Sequence, residues 1–159
     1  MKKILLSLIV LLGFLGSSAS LSAHVSVPNK VQWMNDYRQA IEVSKQQDKP
    51  ILLLFTGSGW CTYCNKLERE VLDTQQFAEA MKDQFIFVKM DFSPQGKARD
   101  MTHALQHDQA RNRYGINGFP TVIVIDNNER VLLKTGYRQG GAQMYVSYLE
   151  KEMGRVNTF

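Results

Sequence analysis

Ile51-Leu52-Leu53-Leu54-Phe55-Thr56-Gly57-Ser58-Gly59-Trp60-Cys61-Thr62-Tyr63-Cys64 is the stretch that decides the fold. Its first six residues form a short apolar run bounded by breakers, as expected of a strand buried on both faces in a sheet covered by helices. Gly57-Ser58-Gly59 ends the strand and delivers the chain to Cys61 and Cys64, the only two cysteines in 159 residues. Two residues separate the sulfurs, so they can join with little backbone movement if the pair opens a helix. The first sulfur would then lie beside unpaired backbone N–H groups, where a thiolate is stabilised and becomes the nucleophile of disulfide exchange. A purely stabilising bridge is the weaker reading, because so short a loop removes little unfolded-chain entropy.

The start of the chain speaks to compartment. Met1-Lys2-Lys3 is a short basic segment, Ile4 to Leu15 is apolar apart from Ser7 and Gly13, and small and polar residues follow to Ala23. This is the pattern of a cleavable secretory signal peptide, residues 1–23, cut after Ala19 or Ala23. A retained N-terminal anchor is the alternative, although the apolar run is shorter than the roughly 20 residues of a membrane span. Cleavage at Ala23 would leave residues 24–159, enough for a single domain with its own core. Lys2 and Lys3 would leave with the signal, lowering the formal charge from +4 to +2. No Lys/Arg-rich run remains, which argues against a nucleic-acid partner.

Outward from the cysteines the pattern alternates. His24 to Lys30 reads as an extended lead. Trp33 to Gln46 has helical periodicity, with Asn35 or Asp36 near its start, and Asp48-Lys49-Pro50 stops it. A helix is expected from Cys61 to about Leu72, then another capped by Thr74. Phe85 to Asp91 is a strand. Lys97 to Arg113 is a polar helix expected to turn Met101, Ala104, Leu105 and Ala110 inward. Thr121 to Ile125 and Arg130 to Thr135 form a hairpin around Asp126-Asn127-Asn128-Glu129. Gly140-Gly141 precedes a closing helix carrying Met144, Tyr145, Tyr148 and Leu149. Helix, strand, helix, strand, helix, strand, strand, helix implies an α/β fold with a mixed sheet.

Trp60-Cys61-Thr62-Tyr63-Cys64 after a buried strand, and Gly118-Phe119-Pro120-Thr121 before another, resemble the thioredoxin superfamily from about Trp33 to Met153. Leu54-Phe55-Thr56-Gly57-Ser58-Gly59-Trp60-Cys61, with Glu68 after the pair, is similar to small secreted DsbH-like proteins and to the C-terminal domain of the transmembrane reductase DsbD. The resemblance implies a thioredoxin-like fold with a central mixed sheet flanked by helices. It makes Cys61 the solvent-facing attacking thiol and Cys64 the buried resolving one. Pro120 matches the family's cis-proline, which holds the preceding backbone ready for a substrate strand. With it, Phe119 and Trp60 form the substrate contact, Trp60 as a flat apolar cap; an ordinary core tryptophan is the alternative.

One position departs from the pattern. Thioredoxin carries a buried aspartate six residues before its first cysteine, where this chain has Phe55. Glu68 lies four residues beyond Cys64 on the same helical face, and an equivalent glutamate occurs in the DsbD-like domain. Glu68 is therefore the candidate proton acceptor on ground that Phe55 makes apolar, against a solvated surface glutamate.

Thr62 and Tyr63 place no positive charge between the cysteines, whereas strong oxidants of the superfamily carry histidine there. A less stabilised thiolate favours a reductase. The expected protein is an exported, periplasmic, monomeric thiol–disulfide oxidoreductase that reduces disulfide-bearing secreted proteins. Its only redox group would be the Cys61–Cys64 disulfide, recharged by a membrane electron donor of the DsbD type. A thioredoxin-fold binding module or chaperone, and a dedicated reductant in cytochrome c maturation, are the alternatives. His103 and His107, with Asp100 a turn earlier, have metal-ligand spacing but no evident fourth ligand, so no metal is expected. Gly57-Ser58-Gly59 lacks the lysine and Ser/Thr of a phosphate loop.

Overall fold

A computed structural model describes residues 30–95 and 101–156. The signal peptide expected at 1–23, the lead up to residue 29, and Lys97 to Asp100 at the expected start of the polar helix lie outside the described residues.

β2 (Ile51–Thr56) is the central strand, and all six of its residues are buried. It runs parallel to β3 (Ile86–Asp91), with Leu54 beside Lys89 and Thr56 beside Asp91. On its other side it pairs antiparallel with β4 (Thr121–Ile125), with Phe55 opposite Thr121. β5 (Val131–Thr135) completes the hairpin with β4, and β1 (Trp33–Met34) lies at the far edge against β3. The sheet order is β1-β3-β2-β4-β5.

Side-chain alternation along β2 feeds two cores. Leu52 and Leu54 pack with Val122 and Val124 under α2 (Thr62–Leu67), α3 (Gln75–Met81) and α5 (Gly141–Val156). Ile51, Leu53 and Phe55 pack with Ile123 and Ile125 under α1 (Tyr37–Gln47) and the end of α4 (Met101–Arg113). Apolar side chains covered on both faces explain why the run reads as continuous rather than alternating.

The first helix starts later than its periodicity suggests. Asp36 caps it, its carboxylate accepting the Gln39 N–H at 3.0 Å. Trp33 and Met34 are instead strand residues paired with Phe87 and Val88, and the Trp33 ring meets Phe87 edge-on at 5.4 Å. The helix after the cysteines reaches Leu72 as expected, but its last turn, Glu68–Leu72, is a wider π-helical one. Thr74 caps α3 through the Phe77 N–H.

The inward face of α4 differs from expectation. Met101 and Leu105 are exposed, whereas His107 and Ala110 are buried. The helix packs on a polar surface at the start of α1: His107 Nε2 lies 2.7 Å from the Asn35 carbonyl oxygen, and His103 Nε2 lies 3.4 Å from Asp36. The two histidines thus contact the α1 cap region, and Asp100 lies outside the described residues.

Candidate active site

The site grows from the C-terminal end of β2. Gly57 allows the loop to close: a Cβ there would collide with the indole of Trp60, which lies across it. Gly59 takes a left-handed backbone (φ 84°) that suits glycine. Asp91, at the end of β3, holds this loop by accepting the backbone N–H groups of Ser58 and Ser93, each at 3.0 Å. Burial alone would raise the Asp91 carboxyl, but these bonds outweigh it and hold it below the usual carboxylate range.

Cys61 is the N-cap of α2, its Sγ accepting the Cys64 N–H at 3.2 Å. An orphan helix donor is thus spent on the first sulfur. The two cysteines are joined in a disulfide with Cα atoms 5.2 Å apart. Cys64 is fully covered, and Cys61, at 7% exposure, is a buried residue too, in contrast to the openly solvent-facing thiol expected from sequence.

Trp60 is exposed, which makes it a surface aromatic and not a core tryptophan. Its ring meets Phe119 edge-on at 6.0 Å, bringing the cysteine loop against the Phe119-Pro120 loop. The peptide bond between Phe119 and Pro120 is cis. Gly136, just beyond β5, packs so closely on Pro120 that a Cβ would stand 2.9 Å from the proline's carbonyl oxygen. Phe119 stacks on Phe92 at 5.2 Å, and Phe92 on Phe55 at 6.3 Å. Phe55 is therefore the foot of an aromatic column whose top is Trp60.

Glu68 follows Cys64 by one helical turn, its N–H donating to the Cys64 carbonyl. Its ground is polar, contrary to expectation. Oε1 accepts the Thr56 hydroxyl at 3.1 Å, and Oε2 accepts Lys89 Nζ at 2.6 Å. Thr56 and Phe55 are neighbours on β2 and point to opposite faces, so the apolar residue at the departing position does not line the glutamate. Thr56 and Lys89 were not singled out from sequence. Lys89 carried a signal, as the one charged residue amid the apolar run Phe85 to Met90.

Tyr63 and Tyr137 add a second aromatic pair, with ring centroids 5.7 Å apart. The Tyr137 hydroxyl donates to Glu70 at 2.6 Å. That bond holds the Glu70 carboxyl below its usual range and pushes the Tyr137 phenol up.

A Cys-X-X-Cys disulfide capping a helix beside a cis-proline loop, on a mixed sheet covered on both faces, defines a thiol–disulfide exchange site of thioredoxin type. Residues 37–151 match the thioredoxin-like domain family, and the chain belongs to it. Over 123 residues it is 32% identical to the disulfide bond reductase DsbH of Chlamydia pneumoniae, covering 77% of this chain and 73% of that protein. The thioredoxin-related protein DsbJ of the same organism is 26% identical over 110 residues, 68% of this chain and 31% of that one. Among solved structures, a DsbH oxidoreductase superposes with a TM-score of 0.69 at 29% identity, covering 79% of this chain and 85% of the other. The oxidised C-terminal domain of Neisseria meningitidis DsbD shares the fold, with a TM-score of 0.54 at 18% identity, 76% of this chain and 99% of that domain. The protein is thus a DsbH-like thiol–disulfide oxidoreductase built on the Cys61–Cys64 pair.

Proposed function

We propose that the protein works as an exported disulfide reductase. The observation that carries this reading is the composition of the Cys61–Cys64 site. A single backbone N–H caps the first sulfur, and Thr62 and Tyr63 add no cation between the thiols. A thiolate with so little stabilisation gives up electrons readily. The C. pneumoniae relative that bears the name disulfide bond reductase supports the same direction.

In the reduced protein the Cys61 thiolate attacks one sulfur of a substrate disulfide and expels the other as a thiolate, leaving a mixed disulfide. Cys64 then loses its proton to Glu68 and attacks Cys61 Sγ. The substrate leaves with two thiols, its first thiolate taking a proton from solvent and its second the proton held by Glu68, and Cys61 and Cys64 end as a disulfide, so two electrons have passed to the substrate. Trp60, Phe119 and Pro120 hold the substrate segment during both steps. A membrane dithiol donor of the DsbD type returns the electrons, and the signal peptide at residues 1–23 places the protein in the periplasm after cleavage at Ala19 or Ala23.

Insulin reduction in the presence of dithiothreitol tests the activity. Faster precipitation of the insulin chains than with dithiothreitol alone is expected, and no acceleration would leave a binding module as the better reading. The mass of the exported protein, recovered from the periplasm, tests the signal.

A further inference from the structure

The geometry points to Tyr137 as a positioning residue, whose hydroxyl bond to Glu70 holds the proline loop at a fixed spacing from the cysteine helix. The inference rests on the exchange mechanism proposed above and concerns the size of the disulfides that the site handles well. In that mechanism a polypeptide meets two surfaces at once, its backbone against Phe119-Pro120 and its sulfur at Cys61. A small disulfide needs only the second. The spacing of the two surfaces therefore governs the rate with a polypeptide and has little bearing on a small substrate.

Tyr137 is tied to both surfaces. On the proline side its chain neighbour Gly136 lies so close to the loop that a Cβ would stand 2.9 Å from the Pro120 carbonyl oxygen. The Tyr145 hydroxyl donates to the Gly136 carbonyl at 3.2 Å, which fixes this backbone on α5. On the cysteine side the Tyr137 ring packs on Tyr63, a residue between the two cysteines, and Lys66 of α2 lies 5.9 Å from the Tyr137 ring centroid. The Tyr137 hydroxyl donates to Glu70 Oε2 at 2.6 Å, on the π-helical turn that continues the cysteine helix. Arg69 donates to the other oxygen, Oε1, at 3.2 Å, so each carboxylate oxygen has its own partner.

These ties differ in what they can fix. Rings tilted by 40° with centroids 5.7 Å apart can slide past one another at little cost. A charge-assisted hydrogen bond sets both distance and direction. The Tyr137–Glu70 bond is thus the contact that defines the spacing, and it can be removed without removing the ring.

The test compares reduced wild-type protein with Tyr137→Phe, Glu70→Leu, the double variant and Glu70→Gln, each checked by urea unfolding. Two disulfides are offered, the homodimer of a cysteine-containing decapeptide and hydroxyethyl disulfide, and released thiol is followed by quenched chromatography. The readout is the ratio of second-order rate constants, peptide over small disulfide. Tyr137→Phe should lower it about tenfold, short of the roughly hundredfold that a 1 Å misplacement can cost. The double variant should lose no more than either single, because both remove the same bond. Glu70→Gln keeps an acceptor oxygen and should retain most of the ratio. An unchanged ratio in Tyr137→Phe would overturn the inference, as would losses that add in the double variant or fall equally on both disulfides. Wild-type protein that reduces neither disulfide would sink the exchange mechanism, and the inference with it.

Discussion

Phe55 and Thr56 are adjacent on β2, yet the regions they enter have little in common. Phe55 turns towards the α1–α4 layer and begins a column of rings, Phe55, Phe92, Phe119 and Trp60, that runs from the sheet to the loop carrying the cysteines. Thr56 turns towards the α2 layer and hydrogen-bonds Glu68, which in turn pairs with Lys89. The period-2 alternation of a strand has separated two jobs one residue apart. Phe55 is a fully buried part of the scaffold on one face, and the Glu68 carboxylate, one turn beyond Cys64, is held on the other. The comparison predicts that damage to the first region is read in stability and damage to the second in rate.

The heaviest blow falls on the chemistry itself. Cys61→Ser should abolish exchange and trap no substrate, whereas Cys64→Ser should accumulate mixed disulfides visible on non-reducing gels. Trapping by the Cys61→Ser variant alone would reverse the roles of the two thiols.

Next comes the aromatic face. Phe55→Ala removes a fully buried ring from the foot of the column and should cost about 3–5 kcal/mol in urea unfolding. A loss below about 1 kcal/mol would mean that the column does not support the site.

On the polar face, Glu68→Gln should slow the resolving step about a hundredfold, the lower end of a general base's contribution, while sparing the attack by Cys61. Thr56→Val should slow the same step less, because Lys89 still holds the carboxylate. Stopped-flow rates for both steps decide it. An unchanged second step in Glu68→Gln would reduce Glu68 to an ion-pair partner of Lys89.

The smallest effect is expected at Asp91. Its carboxyl is held below its usual range in the folded protein, so the stability it adds is fully present above about pH 4, the unfolded value, and is lost as pH falls through the lower folded value. Asp91→Asn should therefore flatten part of the acid dependence of unfolding. An unchanged pH profile would remove Asp91 from the forces that hold the Ser58 loop.

These contrasts also explain what a reader of the sequence can and cannot see. Local patterns were legible: the doubly buried run Ile51–Thr56, the Thr74 cap, the cysteine pair at a helix start and the proline before β4 all depend on neighbours in sequence. Trp33 and Met34 were hidden because a two-residue edge strand has no period of its own and their side chains continue the helical pattern of α1. The buried side of α4 was misjudged because hydrophobicity marks Met101 and Leu105, whereas the helix docks through His107 onto a backbone carbonyl. Thr56 and Lys89 reach Glu68 across 12 and 21 residues of chain, so only the sheet register brings them together. Tyr63 and Tyr137 are likewise distant in sequence and meet only in the fold.

The equilibrium potential of the Cys61–Cys64 couple, measured against a graded dithiothreitol or glutathione series, tests the reductase direction most directly. With a lightly stabilised thiolate and no cation between the cysteines, the couple should lie nearer about −270 mV than −120 mV, on the reducing side. A potential close to about −120 mV would contradict it and make the protein an oxidant.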